Sequence, residues 1–443
     1  MLPVIALIGR PNVGKSTLFN RLTRSHKAIV DDQPGVTRDR QYGQGRIGGK
    51  PYLVVDTGGL FNDDETLQVL IEEQVDQILK QADAVIFMVD GREGLTSTDK
   101  EVASRLRVSH CPIHLVINKA EGQAKQMISA EFYELSCGDP YVISARRGDG
   151  IQNTMEAVLE AFPVEVEEHE NDEIIRVAVV GRPNVGKSTL INRLSGERRL
   201  IVMDKPGTTR DSIEVSINRA GRKYVFIDTA GVRKRSRVNE ELEKLSVIKT
   251  LQALHASQIV VLMVGGSQEV SDQDSSLAGI VDQSGRALVV VVNKWDGLDN
   301  DQRADIRNQL QRKFKFLAKH ETLFISALHG TGMGELTKAI NKAHRSSLTV
   351  MTTGKLNRIL RDAVMDQSPP WKGQFSPKLK FAHQGGKNPP RVIIHGNSLD
   401  AIPDSYRRYL GTTIAKHFKL MGTRVEIEFR QSDNPFYQQN KNN

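Results

Sequence analysis

The sequence lacks the residues and runs that define several protein classes. Its 443 residues include only two cysteines, Cys111 and Cys137, too few for a disulfide scaffold or for a zinc site built from cysteines. No apolar run approaches the roughly 18–20 residues that a membrane-spanning helix needs, and the N-terminus has no secretory-signal pattern. We therefore expect a reduced, cytoplasmic protein that has no membrane partner.

Aromatic residues are also few, at 5% of the chain, and the positive charge is unevenly placed. The whole chain holds 61 Lys and Arg against 53 Asp and Glu, but from Arg345 onward the numbers are 16 and 7. Basic side chains can follow a phosphate backbone and exposed rings can stack on bases, so this C-terminal region is predicted to bind RNA. The alternative, a core of rings under a solvated charged face, stays open.

A long internal repeat organises the rest of the chain. The decapeptide Gly9–Leu18 recurs without change as Gly181–Leu190. A P-G-x-T-R-D motif and a D-T-x-G motif repeat at the same offset of 172 residues, and later motifs repeat at 175 and 182. The slowly growing offset indicates one fold that is duplicated, with short insertions in the second copy.

Each copy alternates short apolar runs with helix-compatible stretches, which is typical of buried parallel strands and their connecting helices. We predict an α/β fold of two doubly wound domains with mostly parallel sheets, followed by a small α+β domain with a split three-stranded sheet. The predicted bounds are 1–163 for the first domain, 164–175 for an acidic linker, 176–348 for the second domain and 349–443 for the basic C-terminal domain and its tail.

The repeated decapeptide contains the phosphate-binding pattern G-x-x-x-x-G-K-[ST] between a strand-like run and a helix-like run. Its glycines let N–H groups turn towards a phosphate, and the helix N-terminus adds partial positive charge. The lysines should reach the β- and γ-phosphates, and Ser16 and Ser188 should hold Mg²⁺. The predicted phosphate-binding residues are Gly9, Arg10, Pro11, Asn12, Val13, Gly14, Lys15 and Ser16, and Gly181, Arg182, Pro183, Asn184, Val185, Gly186, Lys187 and Ser188.

Each D-T-x-G motif follows an apolar strand. Its aspartate, Asp56 or Asp228, can steady Mg²⁺ through water, and its last glycine can sense the γ-phosphate. Thr37 and Thr209 lie in the loops before these motifs, where they can close over Mg²⁺. Further nucleotide contacts are predicted at Thr57, Gly58, Gly59 and Leu60, and at Thr229, Ala230, Gly231 and Val232.

The run Asn293-Lys-Trp-Asp296 predicts that the base is guanine. The Asp296 carboxylate can accept from N1–H and the 2-amino group, whereas adenine would leave it unpaired, which argues against an ATPase. In the first copy Glu121 replaces the aspartate, so its oxygens lie elsewhere unless the loop adjusts, and we expect guanine to be preferred still. A backbone N–H after Ser326 should meet the guanine O6. The predicted base-site residues are Asn118, Lys119, Ala120, Glu121, Ser144 and Ala145, and Asn293, Lys294, Trp295, Asp296, Ser326 and Ala327.

Both copies lack the glutamine that many GTPases carry directly after D-T-x-G to orient water. Leu60 and Val232 stand there and cannot polarise water, so activation must come from elsewhere. Asn12 and Asn184 can hold a monovalent cation near the phosphates, or can complete the hydrogen bonds of their own loops. The residues alone leave both interpretations open.

Taken together, these motifs resemble those of the bacterial Der (EngA) family of GTPases. The resemblance covers essentially the whole chain and includes Pro377–Lys380, Asn388–Pro390 and Phe429-Arg430 near the C-terminus. It implies two P-loop GTPase domains and a KH-like domain, and GTP hydrolysis stimulated by potassium. It also implies that the protein is a switch that binds the large ribosomal subunit and its rRNA during subunit assembly. We expect a monomer.

The resemblance also implies roles for individual residues. The implied catalytic residues are Lys15, Thr37 and Asn12, and Lys187, Thr209 and Asn184. The implied potassium ligands are Asn12 and Asn184. The implied Mg²⁺ ligands are Ser16, Thr37, Asp56, Ser188, Thr209 and Asp228. Besides Glu121, the chain departs from the pattern at Gly265-Gly266, where the first copy has Asp90, and we expect the local loop to differ there. No G-x-x-G loop is evident in the C-terminal domain, so the usual KH clamping of single strands is not expected.

Two other functions compete with the GTPase switch. The chain could be an RNA-docking scaffold whose nucleotide only stabilises the fold, or a GTPase of tRNA modification. Enzymes of the latter kind usually need a cofactor domain or a catalytic cysteine, and neither Cys111 nor Cys137 lies in a suggestive motif.

Overall fold

The computed structural model describes residues 2–23, 29–31, 40–57, 78–121, 125–163, 174–196, 201–202, 213–219, 221–228, 247–314, 320–371 and 377–431. The chain divides into two compact units, of which the first consists of Met1–Glu170 with a short piece at Ser246–Ile248. The remaining residues form the second unit. Within the described residues, no helix is both long enough and apolar enough to cross a membrane.

The first unit is built on a sheet of seven strands: β1 (Val4–Ile8), β2 (Ile29–Asp31), β3 (Arg40–Gly45), β4 (Tyr52–Asp56), β5 (Ala84–Asp90), β6 (Ile113–Asn118) and β7 (Tyr141–Val142). Their order is β2-β3-β4-β1-β5-β6-β7. The neighbouring strands β4, β1, β5, β6 and β7 are parallel to one another. The strand β3 is antiparallel to β4, and β2 is antiparallel to β3 at the edge of the sheet. All residues of β1 and β5 are buried, because helices cover both faces of the sheet.

The helices described around this sheet are α1 (Lys15–Thr23), α2 (Ser97–Val108), α3 (Lys125–Phe132) and α4 (Ile151–Glu160). Alternate residues of β1 point to opposite faces. Ile5 and Leu7 pack with α1 and α4, whereas Ala6 and Ile8 pack with α2 and α3. The helix α1 therefore begins at the carboxyl end of β1, which puts the phosphate-binding loop at that edge of the sheet.

The second unit repeats this architecture with β8 (Ile174–Gly181), β9 (Ile201–Val202), β10 (Ile213–Arg219), β11 (Arg222–Asp228), β12 (Ile259–Gly265), β13 (Ala287–Asn293) and β14 (Thr322–Phe324). The order β14-β13-β12-β8-β11-β10-β9 is that of the first sheet read from its other edge. Its described helices are α5 (Lys187–Ser195), α6 (Val247–His255), α7 (Asp272–Gln283), α8 (Asn300–Lys313) and α9 (Met333–Ser347).

The C-terminal part of the second unit has the strands β15 (Lys378–Gly386), β16 (Arg391–Asn397) and β17 (Glu426–Gln431) and the helices α10 (Thr353–Asp366) and α11 (Asp404–His417). The strand β16 lies in the centre, antiparallel to β15 and parallel to β17. Apolar residues of both helices, among them Leu356 and Leu410, form a core with one face of this sheet.

The predicted fold class is confirmed, with two α/β sheets and a small three-stranded domain. The last helix, α11, ends at His417, and Lys419 just beyond it has the left-handed φ of +54° that follows a helix end. Cys111 and Cys137 do not form a disulfide bond. Most of the predicted linker, 164–173, lies outside the described residues, and the domain bounds stay a prediction.

Candidate nucleotide-binding sites

The two phosphate-binding loops have the same conformation, and each buries its lysine against its own backbone. Lys15 Nζ donates to Gly9 O at 2.7 Å and to Arg10 O at 2.8 Å, and Lys187 Nζ makes the corresponding bonds, both at 2.8 Å. Burial lowers the pKa of Lys15 to about 8, although Asp56 acts in the opposite direction. Each loop therefore holds a cation within reach of an incoming phosphate.

The second glycine of each loop is required by its geometry. Gly14 has φ +101° and Gly186 has φ +99°, a left-handed conformation that side chains rarely adopt. A Cβ atom on either would lie 2.3 Å from the Nδ2 atom of an asparagine, Asn118 or Asn293. The loop can wrap around a phosphate only because no side chain stands between it and the base-binding motif.

A serine and an aspartate meet beside each lysine. Ser16 Oγ donates to Asp56 Oδ2 at 2.8 Å, and Ser188 Oγ donates to Asp228 Oδ2 at 3.3 Å. A hydroxyl and a carboxylate are hard oxygen ligands, and one carboxylate with phosphate oxygens and waters suits Mg²⁺ better than an all-protein cage does. The described residues contain no cluster of three or more His, Cys, Asp or Glu that could hold a metal ion.

Part of the predicted site lies outside the described residues: Thr37, Gly58, Gly59, Leu60, Thr209, Thr229, Ala230, Gly231 and Val232. Thr57 of the first D-T-x-G motif is described: it is fully buried, and its hydroxyl donates to Leu7 O at 2.8 Å. Thr57 therefore ties the end of β4 to the neighbouring strand β1.

The asparagines at the ends of β6 and β13 brace the site in a way that the sequence did not suggest. Asn118 Nδ2 donates to Val13 O at 2.8 Å, and its Oδ1 accepts from Ala145 N at 2.9 Å. Asn293 makes the same two bonds, at the same distances, to Val185 and Ala327. Each asparagine thus joins the phosphate loop to the serine-alanine loop. The Ala327 N–H, which is predicted to meet guanine O6, already donates to Asn293 Oδ1. A bound guanine would therefore share this donor with the asparagine.

The two carboxylates predicted to recognise guanine lie in equivalent places. Glu121 accepts from Ser144 Oγ at 2.6 Å and pairs with Arg92 Nη2 at 2.8 Å. Asp296 lies 3.0 Å from His329 Nε2. In both, the hydrogen bond from the serine, Ser144 or Ser326, is the main cause of a lowered pKa, so both carboxylates are ionised near neutral pH.

The loop after β12, in which Gly265 replaces Asp90, differs from the loop after β5 at Gly94, which has φ +76° and donates to Asp90 O at 3.2 Å and whose position is taken by Glu269. The two loops share another backbone contact. Gly266 N donates to Asn293 O at 2.7 Å, as Gly91 N donates to Asn118 O at 2.8 Å. A side-chain contact differs as well: Asp90 pairs with Lys119 Nζ at 2.6 Å, and Gly265 has no carboxylate to do so. Burial is the largest single effect and would raise the pKa of Asp90, but the hydrogen bond and charge of Lys119, together with hydrogen bonds from the backbone N–H groups of Arg92 and Glu93, outweigh it, and the pKa is lowered.

The arginine side chains of the phosphate loops contact residues outside those loops. Arg10 Nε lies 3.4 Å from Asp99 Oδ1, and Arg182 Nε donates to Asp274 Oδ1 at 2.8 Å. Both aspartates belong to capping boxes, at the N-termini of α2 and α7. The side chains of Arg10 and Arg182 thus join the two phosphate loops to α2 and α7, respectively. The backbone carbonyls of these arginines accept from the lysine ammonium.

Trp295 is held by a group of side chains that sequence reasoning did not identify. Its ring centroid lies 4.2 Å from that of Phe324, and the guanidinium carbons of Arg303 and Arg307 lie 5.7 Å and 5.4 Å from it. Arg303 also donates to Trp295 O at 3.3 Å. Cation–π and stacking contacts of this kind fix the loop that carries Asp296.

Comparison with family models agrees with this duplicated geometry. Residues 4–119 and 176–294 each match the model described as a 50S ribosome-binding GTPase. Residues 351–430 match the model of the KH-domain-like C-terminal domain of EngA bacterial GTPase enzymes. The two kinds of match follow the three sheets of the structure.

Curated relatives match along their whole length. The chain is 52% identical over 437 residues to the GTPase Der of Chromobacterium violaceum, covering 98% of this chain and 93% of that protein. It is also 52% identical over 444 residues to the GTPase Der of Dechloromonas aromatica, covering 100% of both. Among solved structures, Aquifex aeolicus Era bound to GDP and aluminium fluoride matches 60% of this chain and 98% of its own, with 21% identity and a TM-score of 0.31.

Proposed function

Since the chain belongs to the GTPase Der family and is a GTP-hydrolysing enzyme, we propose that it is a potassium-stimulated switch that binds large-subunit rRNA during ribosome assembly. The observation that carries the proposal is the duplication of a complete site. Each copy places a buried lysine, a serine–aspartate pair, a bracing asparagine and an ionised carboxylate in the same arrangement. The description of the matched model, a 50S ribosome-binding GTPase, supports the choice of partner.

On binding GTP, the side chains of each site exchange internal contacts for contacts with the nucleotide. Lys15 and Lys187 leave the loop carbonyls and donate to the β- and γ-phosphates, where an ammonium ion stabilises the charge that develops during phosphoryl transfer. Ser16 with Asp56, and Ser188 with Asp228, would hold Mg²⁺, which would neutralise phosphate charge. We assign Thr37 and Thr209 to closing the site when the γ-phosphate is present.

The cation site that replaces the missing glutamine is assigned to the two loop asparagines. Asn12 and Asn184 have left-handed φ angles of +64° and +61°, and both side chains are exposed. An amide oxygen in this position can hold K⁺ beside the phosphates.

The C-terminal domain is assigned to the rRNA. Its sheet carries a stack of rings: the Phe381 centroid lies 4.5 Å from that of His395, with 4° between the ring planes, and His383 lies 5.3 Å from His395. Phe381 is 45% exposed, and the neighbouring Lys378 is exposed. A ring that can stack on a base, beside a cation that can meet a phosphate, suits a flexible or unpaired RNA segment.

The proposal is tested by measuring hydrolysis and ribosome binding in the same variants. Lys15→Ala and Lys187→Ala are each assayed for GTP hydrolysis in potassium and in sodium, with and without large subunits. We expect potassium to accelerate hydrolysis at both sites and large-subunit co-sedimentation to depend on whether GTP or GDP is bound. An RNA-docking scaffold would instead be supported by two results together. These are equal co-sedimentation with GTP and GDP, and full binding to the large subunit by a chain that carries both Lys15→Ala and Lys187→Ala.

The role of potassium has its own control. Asn184→Ala is expected to remove the difference between potassium and sodium at the second site, while Asn192→Ala, an exposed asparagine on α5 of the same domain, leaves it unchanged. A potassium effect that survives in Asn184→Ala would remove this asparagine from the cation site.

A further inference from the structure

The carboxylate that is predicted to recognise guanine is on a longer side chain in the first site than in the second. Glu121 is one methylene longer than Asp296, yet both carboxylates lie beside the serine of the same loop. The Glu121 side chain is 11% exposed, whereas that of Asp296 is 38% exposed. Glu121, although longer, is thus less exposed than Asp296. The length of the side chain alone therefore does not determine where its carboxylate oxygens lie.

The enclosing group is Arg92, which lies in the loop after β5. Its guanidinium donates from Nη2 to Glu121 Oε2 at 2.8 Å, while Ser144 Oγ donates to the other oxygen, Oε1. The loop itself is held by Arg92 N, which donates to Asp90 Oδ1 at 3.0 Å, and by the pairing of Asp90 with Lys119. Lys119 and Glu121 flank Ala120 in the base motif. Each of them therefore pairs with a side chain of this loop, Lys119 with Asp90 and Glu121 with Arg92.

These contacts leave the carboxylate free to recognise guanine. A carboxylate has about four acceptor positions, so the bonds from Ser144, from Arg92 and from the Glu121 backbone N–H do not use all of them. Guanine offers two donors along one edge, N1–H and the 2-amino group. A carboxylate fixed on both oxygens meets these donors without losing the rotational freedom that a free glutamate would lose on binding.

We propose that Arg92 is a specificity-determining positioning residue, which fixes Glu121 so that the first site selects guanine by its 2-amino group. The inference rests on the proposed GTP binding at this site and extends it. The second site shows the complementary solution: Ser267 stands at the position of Arg92, two residues after the end of β12, and Gly265 at that of Asp90. The shorter Asp296 meets His329 of the serine-alanine loop instead.

The test compares GTP with inosine triphosphate, which lacks only the 2-amino group. The full chain carries Lys187→Ala and Asp296→Ala, so that the first site dominates binding, and affinity is measured by calorimetry. Arg92→Ala is expected to weaken GTP binding roughly 10-fold and inosine triphosphate binding less than about 3-fold, so that discrimination between them falls. Hydrolysis should show a raised KM with kcat unchanged, because Arg92 does not face the phosphates.

A double-mutant cycle separates positioning from a general loss of structure. Glu121→Asp shortens the side chain and takes it out of reach of Arg92, so adding Arg92→Ala to Glu121→Asp should change GTP affinity less than about 2-fold. The matched control is Lys100→Ala, which removes another exposed cation of the same unit from a glutamate, Glu134, at 2.7 Å. This control should leave GTP affinity and discrimination unchanged.

Every outcome bears on the proposal. Unchanged discrimination in Arg92→Ala, additive effects in the cycle, or tighter GTP binding by Arg92→Ala would overturn it, the last because Arg92 would then be a competitor of guanine. If the chain with an intact first site bound neither nucleotide, the proposed GTP binding at that site would fail as well. GTP binding without an effect of Arg92→Ala would remove only the role of Arg92.

Discussion

At the scale of single residues, the buried lysine of the first phosphate loop connects nucleotide binding to pH. Lys15 has a pKa of about 8, chiefly because it is buried, and a phosphate favours its protonated form. As the pH rises through about 8, the empty site loses the positive charge that the phosphate meets. Affinity for GTP at this site should therefore fall between pH 7 and pH 9, and binding near pH 8 should take up a proton.

This prediction is checked by calorimetry of the Lys187→Ala chain in buffers that differ in ionisation enthalpy. The heat measured at pH 8 should depend on the buffer, and the dependence should vanish near pH 6.5, where Lys15 is already charged. A constant affinity up to pH 9 without proton uptake would contradict it.

The base specificity of the second site is a prediction at the same scale. Asp296→Asn replaces a carboxylate that accepts from guanine with an amide that donates, so GTP affinity should fall by about 100-fold or more. Xanthosine triphosphate, which has an oxygen in place of the 2-amino group, should bind better than it does to the parent. Both are measured as KM for hydrolysis by the Lys15→Ala chain. Unchanged GTP affinity would mean that Asp296 does not face the base.

At the scale of secondary-structure elements, the strand β13 connects the second nucleotide site with the C-terminal domain. Its last residue, Asn293, braces the phosphate loop, and near its first residue Leu288 N donates to Gly422 O. Met421 N also donates to Ser346 Oγ at 3.0 Å, on α9. A single buried strand therefore contacts the nucleotide loop at one end and the C-terminal domain at the other.

This junction is tested with two glycines of similar conformation. Gly422 has φ +66° and Gly221 has φ +75°, so alanine at either position costs about 1–2 kcal/mol of backbone strain. Only at Gly422 would the new Cβ also meet a backbone oxygen, that of Leu288, at 2.7 Å, whereas no atom lies within 4 Å at Gly221. Gly422→Ala should lower Tm further than Gly221→Ala and expose the Leu288 amide to hydrogen exchange. Equal effects of the two variants would mean that the junction accommodates a methyl group.

At the scale of the whole molecule, the excess positive charge follows the nucleotide-binding motifs in the sequence. The 16 Lys and Arg from Arg345 onward contrast with a nearly neutral remainder of the chain. Binding of rRNA should therefore weaken steeply as salt rises, because phosphate contacts release counterions. The charged and aromatic contributions of the C-terminal sheet should be separable by their salt dependence.

Two variants of that sheet make the separation. Lys378→Ala should reduce the slope of log affinity against log salt by about 1, whereas Phe381→Ala should lower affinity with the slope unchanged. Lys338→Ala, an exposed lysine on α9 outside the C-terminal domain, serves as the control. Filter binding to a large-subunit rRNA fragment measures all three. A change of slope in Lys338→Ala equal to that in Lys378→Ala would place the RNA elsewhere.

The sequence alone determined the features that depend on local pattern. The repeated loop, its position between a strand and a helix, and the apolar runs that become β1 and β5 follow from short-range periodicity and from the backbone freedom of glycine. Asp56 and Ser16 were placed together correctly because parallel strands bring the ends of successive motifs to one edge of the sheet.

Only the tertiary structure decided the contacts between side chains that are distant in sequence. Arg10 meets Asp99 of a capping box, Asn118 joins two loops, and Arg92 pairs with Glu121 across 29 residues. No periodicity encodes such pairs, because a long side chain takes whichever partner the packed backbone brings within about 3 Å. The motifs therefore identified the chemistry, while packing around each loop determined which atoms are free to carry it out.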